Sequence, residues 1–137
     1  MSIKVYIDTN VYLNSIEKRD NEVSKKVLAF LAQKNISLYL NDISIINIHY
    51  IAKKNRTQEE ITQILKVILK KHNIVSIDKE IIINSLDSGF KDFEDAVQYF
   101  CAKKIDADLI ITSNKKDFTH SEIKVLTPLE FYSEYME

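Results

Sequence analysis

The chain has 137 residues, 45% of them hydrophobic, which is the size of one compact domain with a single core. Its 19 basic and 20 acidic residues give a formal charge of -1, so the overall charge does not favour nucleic-acid binding and any affinity for RNA has to be local. A single glycine excludes the glycine-rich loops that bind nucleotide phosphates, and a single cysteine excludes an internal disulfide.

The sequence contains neither a secretory leader nor an uninterrupted apolar run of about 18 residues, so we expect no membrane partner. Cys101 lies in an apolar context that favours a small packed side chain over a zinc ligand. Together these features predict a cytoplasmic protein with one domain over residues 1–137.

The spacing of apolar residues predicts strands that alternate with helices. In chain order we expect a strand at 3–7, a helix at 22–34, a strand at 36–40, helices at 43–54 and 57–71, a strand at 74–77, helices at 79–86 and 93–104, strands at 108–112 and 124–126, and a terminal helix from 128. The helices at 43–54 and 57–71 are expected to form an antiparallel arm.

Several predicted helices have residues that can cap their N-termini. Thr57 with Glu60 forms a capping box, Asp92 precedes the helix that follows it, and Thr127 stands before Pro128 at the first helical position. The alternation predicts a single-domain α/β fold, with a mostly parallel sheet of four to five strands and helices on both faces.

Three aspartates, Asp8, Asp95 and Asp117, lie at positions that such a fold can bring together from distant parts of the chain. Carboxylates packed about 4 Å apart repel by on the order of 4 kcal/mol per pair at an effective dielectric constant of 20, so a cluster needs a cation or a raised pKa. Oxygen ligands of this kind select magnesium or manganese, which can activate water and neutralise a phosphodiester. The pattern therefore favours hydrolysis of a nucleic-acid backbone.

Segments of the chain resemble the motifs of the PIN-domain family, in the family's order. Residues 6–13 (YIDTNVYL) look like the first motif, residues 92–96 (DFEDA) resemble the third, and residues 111–118 (ITSNKKDF) resemble the fourth. Residues 127–131 (TPLEF) are similar to the family's closing step from strand to helix. The resemblance therefore covers nearly the whole chain.

The resemblance implies a PIN-like fold and a metal-dependent endoribonuclease, common in bacteria as the toxin of a toxin–antitoxin pair of the VapC type. It implies that Asp8, Asp95 and Asp117 bind Mg²⁺ or Mn²⁺, directly or through water. It also implies that RNA is the substrate and that an antitoxin protein is a partner.

Neighbouring polar residues receive supporting roles from the same resemblance. Asn10 is expected to hydrogen-bond the first-motif aspartate or the substrate, and Thr112 and Asn114 are expected to position the fourth-motif loop and its ligands. Asp92 and Glu94 are secondary candidates for the site.

Two further expectations concern surfaces. The chain contains five Lys-Lys pairs, and a few of them on one face could form a track for phosphates, although a single pair is more typical of a solvated helix surface. A homodimer is expected because PIN-like toxins often pair and the helical arm offers apolar surface.

The chain departs from the family pattern in the second motif. Family members usually carry a glutamate in the helix after the second strand, whereas Asn47 occupies the matching position. An amide offers an oxygen but no negative charge, so metal affinity should be weakened. The alternative function is a catalytically impaired PIN-like module that binds RNA or protein, unless Asp42 supplies the missing charge.

The candidate residues also have ordinary structural interpretations. Asp8 and Asn10 could cap a helix, Asp92 could be an N-cap with Asp95 as its reciprocal partner, and Asp117 could be a turn residue. A receiver-like signalling domain would also gather aspartates around magnesium at strand ends. That alternative is disfavoured because the late strand ends in Thr-Ser-Asn, without the lysine expected there.

Overall fold

The computed structural model describes residues 2–137 as strands and helices in alternation. In chain order these are β1 (Ile3–Ile7), α1 (Thr9–Ile16), α2 (Val23–Ala32), β2 (Ile36–Asn41), α3 (Asp42–Ala52), α4 (Gln58–Lys71), β3 (His72–Val75), α5 (Lys79–Leu86), α6 (Phe93–Lys104), β4 (Leu109–Ile111), β5 (Lys124–Leu126) and α7 (Pro128–Tyr135). Short 3-10 turns cover Asp20–Glu22, Lys53–Asn55 and Lys115–Phe118. None of the helices within residues 2–137 is long and apolar enough to cross a bilayer.

Two elements differ from the predicted ones. Residues 9–16 form α1, which the sequence pattern did not predict, and Val11 and Tyr12 of this helix are almost completely buried. β3 starts at His72, two residues before its predicted start, because the chain leaves α4 directly in an extended conformation. Pairing with β2 then fixes β3 between His72, opposite Leu38, and Val75.

The five strands form one parallel sheet in the order β3-β2-β1-β4-β5. β1 lies at the centre, with Tyr6 opposite Tyr39 of β2 and Ile110 of β4. Because the strands are parallel, the residues that follow β1, β2 and β4 all emerge at the same edge of the sheet. The predicted α/β fold is confirmed, and this edge is where distant polar residues meet.

Helices cover both faces of the sheet, because successive side chains of a strand point to opposite sides. Val5 and Ile7 belong to a core that includes residues of α1, α2, α3 and α7. Tyr6 and Ile110 belong to a second core, formed with α5 and α6, in which Cys101 is a buried free thiol. The two cores hold the helices against the sheet and so fix where each helix begins.

The predicted capping boxes are present. In α4 the Glu60 amide donates to the Thr57 hydroxyl at 3.1 Å, and the Thr57 amide donates to the Glu60 carboxylate at 2.8 Å. Thr127 and Glu130 make the same pair of bonds before α7, with Pro128 at the start of the helix. A cap of this kind contributes about 1 kcal/mol to helix stability.

Candidate functional site

Asp8 follows β1 and is almost completely buried, with 4% of its surface exposed. Its Oδ2 accepts hydrogen bonds from the Thr112 hydroxyl at 2.7 Å and from the Asn10 side-chain amide at 3.2 Å. Asp8 occupies the N-cap position of α1, yet its side chain makes no capping bond to that helix. Its carboxylate is therefore oriented by residues of the site rather than used to start the helix.

The same polar residues join the loop after β4 to the loop after β1. Asn10 accepts a hydrogen bond from the Ser113 amide at 3.1 Å, and the Thr112 hydroxyl accepts one from the Asn114 amide at 3.1 Å. Since Thr112 also donates to Asp8, these contacts hold two distant segments of the chain side by side. Asn114 takes part through its backbone.

Burial raises the pKa of Asp8 to about 6. Hydrogen bonds from Thr112, the Thr9 backbone and Asn10 act in the opposite direction, and the negative charge of Glu94 adds to the increase. Burial outweighs the hydrogen bonds, so the ionised form of Asp8 is costly unless positive charge lies nearby.

Asp95 lies in the first turn of α6 and is half-buried. Burial, together with the negative charges of Asp8, Asp92, Asp117 and Glu94, raises its pKa to about 7. These charges come from three separate segments of the chain. The structure therefore brings the three predicted aspartates within electrostatic range of one another.

Asp92 caps α6, as the sequence predicted, because its Oδ1 accepts a hydrogen bond from the Asp95 amide at 2.9 Å. A reciprocal capping box, such as those before α4 and α7, is not completed here. The Asp95 side chain is therefore not needed to start the helix. Carboxyl groups that have shifted pKa values and no structural role are typical of functional sites.

Asp117 lies at the outer side of the group, in the exposed turn Lys115–Phe118 after β4. Its amide donates to the Asn114 carbonyl at 2.9 Å, which fixes the turn. Asp117 lines a surface cleft together with Asp92, Lys116 and His120. This carboxylate is accordingly open to solvent, whereas that of Asp8 is not.

The donor chemistry of this group fits a hard divalent cation, because all the charged side chains offer carboxylate oxygens. Within residues 2–137, no three His, Cys, Asp or Glu side chains converge tightly enough to form a ready cage for an ion. Magnesium seldom uses such a cage; it keeps several water molecules and is bound through one or two carboxylates. The arrangement therefore suits a partly hydrated ion.

Asn47, the residue at the second-motif position, is half-buried on α3 and lines a cleft with Phe93, Glu94 and Gln98. Asp42 accepts hydrogen bonds from the amides of Ile43 and Ile77 at 3.0 and 3.3 Å. Asp42 thus stabilises the start of α3, and Asp42 and Glu94 are the two carboxylates that line the same cleft as the Asn47 amide.

No pattern in the sequence indicated the group of buried polar side chains that lies beneath these residues. It consists of Tyr6, Thr9, Asn41, Ser44 and Gln98, which are all buried and joined by hydrogen bonds. The one available signal was a glutamine within the otherwise apolar buried face of a predicted helix. Its partners lie far away in the sequence and could not be inferred from spacing.

Comparison with known proteins shows the family of the chain. The family model described as PIN domain matches residues 4–116. The chain is similar to Ribonuclease VapC1 of Aquifex aeolicus (strain VF5), with 31% identity over 140 residues that cover 95% of this chain and 94% of the relative.

Solved structures with the same fold include toxin–antitoxin assemblies. A toxin–antitoxin complex from Klebsiella pneumoniae has a TM-score of 0.69 at 25% identity and covers 90% of this chain and 97% of that one. VapBC-1 from nontypeable Haemophilus influenzae has a TM-score of 0.70 at 16% identity, with 93% and 99% covered. VapBC2 from Rickettsia felis, bound to a promoter DNA fragment, has a TM-score of 0.69 at 16% identity, with 91% and 98% covered. By the match to its family model, the match to a ribonuclease along nearly its full length, and its fold, the chain belongs to the PIN-domain family.

Proposed function

We propose that the protein is an endoribonuclease that depends on Mg²⁺ or Mn²⁺ and acts as the toxin of a toxin–antitoxin pair. The observation that carries the proposal is the electrostatic proximity of Asp8, Asp95 and Asp117 at one edge of the sheet: burial raises the pKa of Asp8, and burial with the charges of Asp8 and Asp117 raises the pKa of Asp95. The similarity to a VapC ribonuclease and to toxin–antitoxin complexes supports it.

Each residue has a distinct task in this proposal. Asp8 and Asp95 would hold the cation, and Asp117, at the exposed side, would complete its coordination directly or through water. Thr112 and Asn10 orient the Asp8 carboxylate by donating to its Oδ2. When bound, the cation supplies the positive charge that neutralises the phosphate in the transition state and activates water for attack on the phosphodiester.

Cleavage of RNA by the purified protein tests this function. A labelled RNA pool should be cleaved when Mg²⁺ or Mn²⁺ is added, and cleavage should stop with a chelator or in the Asp8→Asn variant. The Asp106→Asn variant, altered at an exposed carboxylate near the opposite edge of the sheet, should cleave like the wild type. Full cleavage by the wild type in chelator would overturn the proposal.

A second candidate function rests on Asn47, which places an amide in the cleft that Asp42 and Glu94 also line. If the missing charge lowers cation affinity far enough, the protein is a catalytically impaired PIN-like module that binds RNA or a protein. Such a module would still bind RNA in a filter-binding assay but would leave it intact at saturating Mn²⁺.

We infer that the antitoxin docks as an amphipathic helix in an apolar groove between α1, α2 and α4. The groove is lined by Tyr12, Ile16, Leu28, Ile64, Val67 and His72, and Lys25 and Lys71 lie along it. Val67 is 62% exposed, so the apolar lining is open to solvent. An apolar helix with acidic flanks would complement both the apolar lining and the two lysines.

Docking in this groove can be tested with the protein encoded by the gene next to that of this chain, which is the expected antitoxin. It should bind the wild type, and Val67→Glu should abolish binding, because a carboxylate would be buried in an apolar interface. Leu129→Glu, a change at an equally exposed apolar residue on α7, should not affect binding. Unchanged binding by Val67→Glu would contradict docking at this site.

We also propose that two copies of the chain pair through an apolar face on α3 and α5. Its exposed residues are Ile43, Ile46 and Tyr50 on α3, Ile82, Ile83 and Leu86 on α5, and Phe93 at the start of α6. Ile43, Ile82 and Phe93 line one cleft, so the two helices contribute to a continuous surface. A twofold dimer buries the same patch on both copies, which would cover this surface completely.

A further inference from the structure

A cluster of five buried polar side chains lies below the carboxylates. Tyr6 of β1, Thr9 of α1, Asn41 at the end of β2, Ser44 of α3 and Gln98 of α6 are each no more than 7% exposed. They come from five different elements. We call them the polar cluster.

Gln98 is the member that joins the polar cluster together. Its Nε2 donates to the hydroxyls of Thr9 and Ser44 at 3.0 and 3.4 Å. Its Oε1 accepts from the Tyr6 hydroxyl at 2.5 Å and from the Asn41 amide at 3.3 Å. Both donors and both acceptor positions of the amide are thus in use, so one side chain contacts all four of the others.

The helices that meet at Gln98 are those that carry the site. Thr9 directly follows Asp8 in the chain. Gln98 itself lies three residues after Asp95 on α6, and residues three apart on a helix lie on the same face. The Gln98 amide therefore fixes the distance between the segments that carry the buried Asp8 and the half-buried Asp95.

Ser44 connects α3 to the site in the same way. It lies three residues before Asn47, so the two side chains lie on the same face of the helix. The hydroxyls of Ser44 and Thr9 are also hydrogen-bonded to each other at 2.6 Å, and the Ser44 amide donates to Asn41 at 2.6 Å. A fully hydrogen-bonded buried network has one favoured geometry, whereas an apolar contact can slide.

We propose that Gln98 is a positioning residue for the cation site: its amide sets the spacing of Asp8, Asp95 and Asn47 through hydrogen bonds to Thr9 and Ser44. The inference rests on the proposed function, since it concerns the site at which the cation would bind. If the amide served only to fill space, an apolar side chain of the same length would replace it without loss of site geometry.

The Gln98→Met variant of the full chain is the direct test, because methionine matches the length of glutamine and makes no comparable hydrogen bonds. We expect its dissociation constant for Mn²⁺, measured by calorimetry, to rise 10- to 100-fold, as is typical when residues that orient metal ligands are changed. The kcat for RNA cleavage should fall, with KM for RNA little changed. The wild type and the Gln98→Met variant are each measured at the same number of degrees below their own melting temperature.

The Leu31→Ala variant is the control for a loss of stability alone. Leu31 is fully buried on α2, in the core on the other face of the sheet from Gln98. This variant should melt at a lower temperature and keep the Mn²⁺ affinity of the wild type within about twofold. If Gln98→Met also loses stability but keeps its Mn²⁺ affinity and kcat, the inference is overturned.

Thr9 provides a second test that does not depend on the folding of Gln98→Met. Thr9→Val removes the hydroxyl that accepts from Gln98, and Thr9→Ser keeps it. We expect Thr9→Val to weaken Mn²⁺ binding and Thr9→Ser to bind Mn²⁺ like the wild type. Equal binding by the two variants would overturn the inference. A wild type that neither binds Mn²⁺ nor cleaves RNA would overturn the proposed function and this inference together; an active wild type with unaffected Gln98 and Thr9 variants would overturn the inference alone.

Discussion

Two side-chain hydrogen bonds, from Thr112 and Asn10, support the Asp8 carboxylate, and the group is still harder to ionise than a free aspartate, because burial raises its pKa to about 6. A structural role alone does not explain why a charged side chain occupies the centre of a parallel sheet's edge, where removal from water costs several kcal/mol. A bound cation would reverse this balance by stabilising the ionised forms of Asp8 and Asp95.

The missing charge at residue 47 should be restorable. Asn47→Glu adds a carboxylate in the cleft that already contains Glu94, and we expect the affinity for Mn²⁺ to rise by about tenfold or more, with faster RNA cleavage. Asn47→Gln is the matched control, since it has the length of glutamate without its charge. Calorimetry that finds equal affinities in the glutamate and glutamine variants would show that charge at this position is irrelevant.

At this scale the sequence selected the charged candidate residues and the polar residues next to them, but not the buried side chains beneath them. Asp8 and Asp117 follow strands, and Asp95 begins a helix, so the fold pattern and the motif order were enough to select them. The interactions of Gln98 could not be predicted, because its partners Thr9 and Tyr6 lie 89 and 92 residues away in the sequence. Such contacts depend on how three helices dock, which no local pattern encodes.

Among the elements, the helices with strong caps were predicted closely and those shaped by tertiary contacts were not. The capping box of Thr57 and Glu60 fixed the start of α4 at its predicted place. The short helix α1 has no side-chain cap, and its Val11 and Tyr12 favour strands by intrinsic propensity. Burial of both residues against the sheet overrides that propensity, and only the folded structure supplies this burial.

His72, at the junction of α4 and β3, should make the stability of the protein depend on pH. Burial lowers the pKa of His72 below its ordinary value, although its Nδ1 lies 2.7 Å from the Ile68 carbonyl. The folded state therefore holds the ring neutral, and the stability that this contributes is complete above about pH 6.5 and is lost as the pH falls below it.

The His72→Asn variant isolates this effect, because asparagine can keep a donor near the Ile68 carbonyl without titrating. We expect the unfolding free energy of the wild type, relative to the variant, to fall between pH 7 and pH 5 by at most ~1.4 kcal/mol per pH unit. The raised pKa values of Asp8 and Asp95 act in the opposite direction, but equally in both proteins, so they cancel in the difference. A difference that is constant with pH in urea denaturation would contradict this account of His72.

At the scale of the whole molecule, the parallel sheet followed from the alternation of elements, and its edge explains why residues 8, 41 and 112 are neighbours. The sequence predicted only part of the apolar surface that remains exposed. The apolar surface expected on the helical arm is present, at Ile43, Ile46 and Tyr50 of α3 and at Val67 and Leu69 of α4, but the continuation of the α3 face onto α5 was not predicted. Exposure depends on which neighbours each helix acquires, and those contacts join distant parts of the chain.

Ile46 tests pairing through this face. Ile46→Glu places a charge at the centre of the proposed interface, so a wild-type dimer should become a monomer in sedimentation velocity experiments. Leu129→Glu, at an apolar residue on α7 with the same 61% exposure, should remain dimeric. A monomeric wild type at concentrations of tens of micromolar, or a dimeric Ile46→Glu variant, would rule out this interface.

The most direct test of the central claim is the binding of Mn²⁺ to the full-length protein, measured by titration calorimetry. We expect the wild type to bind one ion per chain, and Asp8→Asn and Asp95→Asn each to weaken binding by tenfold or more, which is about 1.4 kcal/mol. Asp106→Asn should bind like the wild type. Equal Mn²⁺ binding by the wild type and Asp8→Asn, or no binding by the wild type at millimolar Mn²⁺, would contradict the claim that these carboxylates form a cation site.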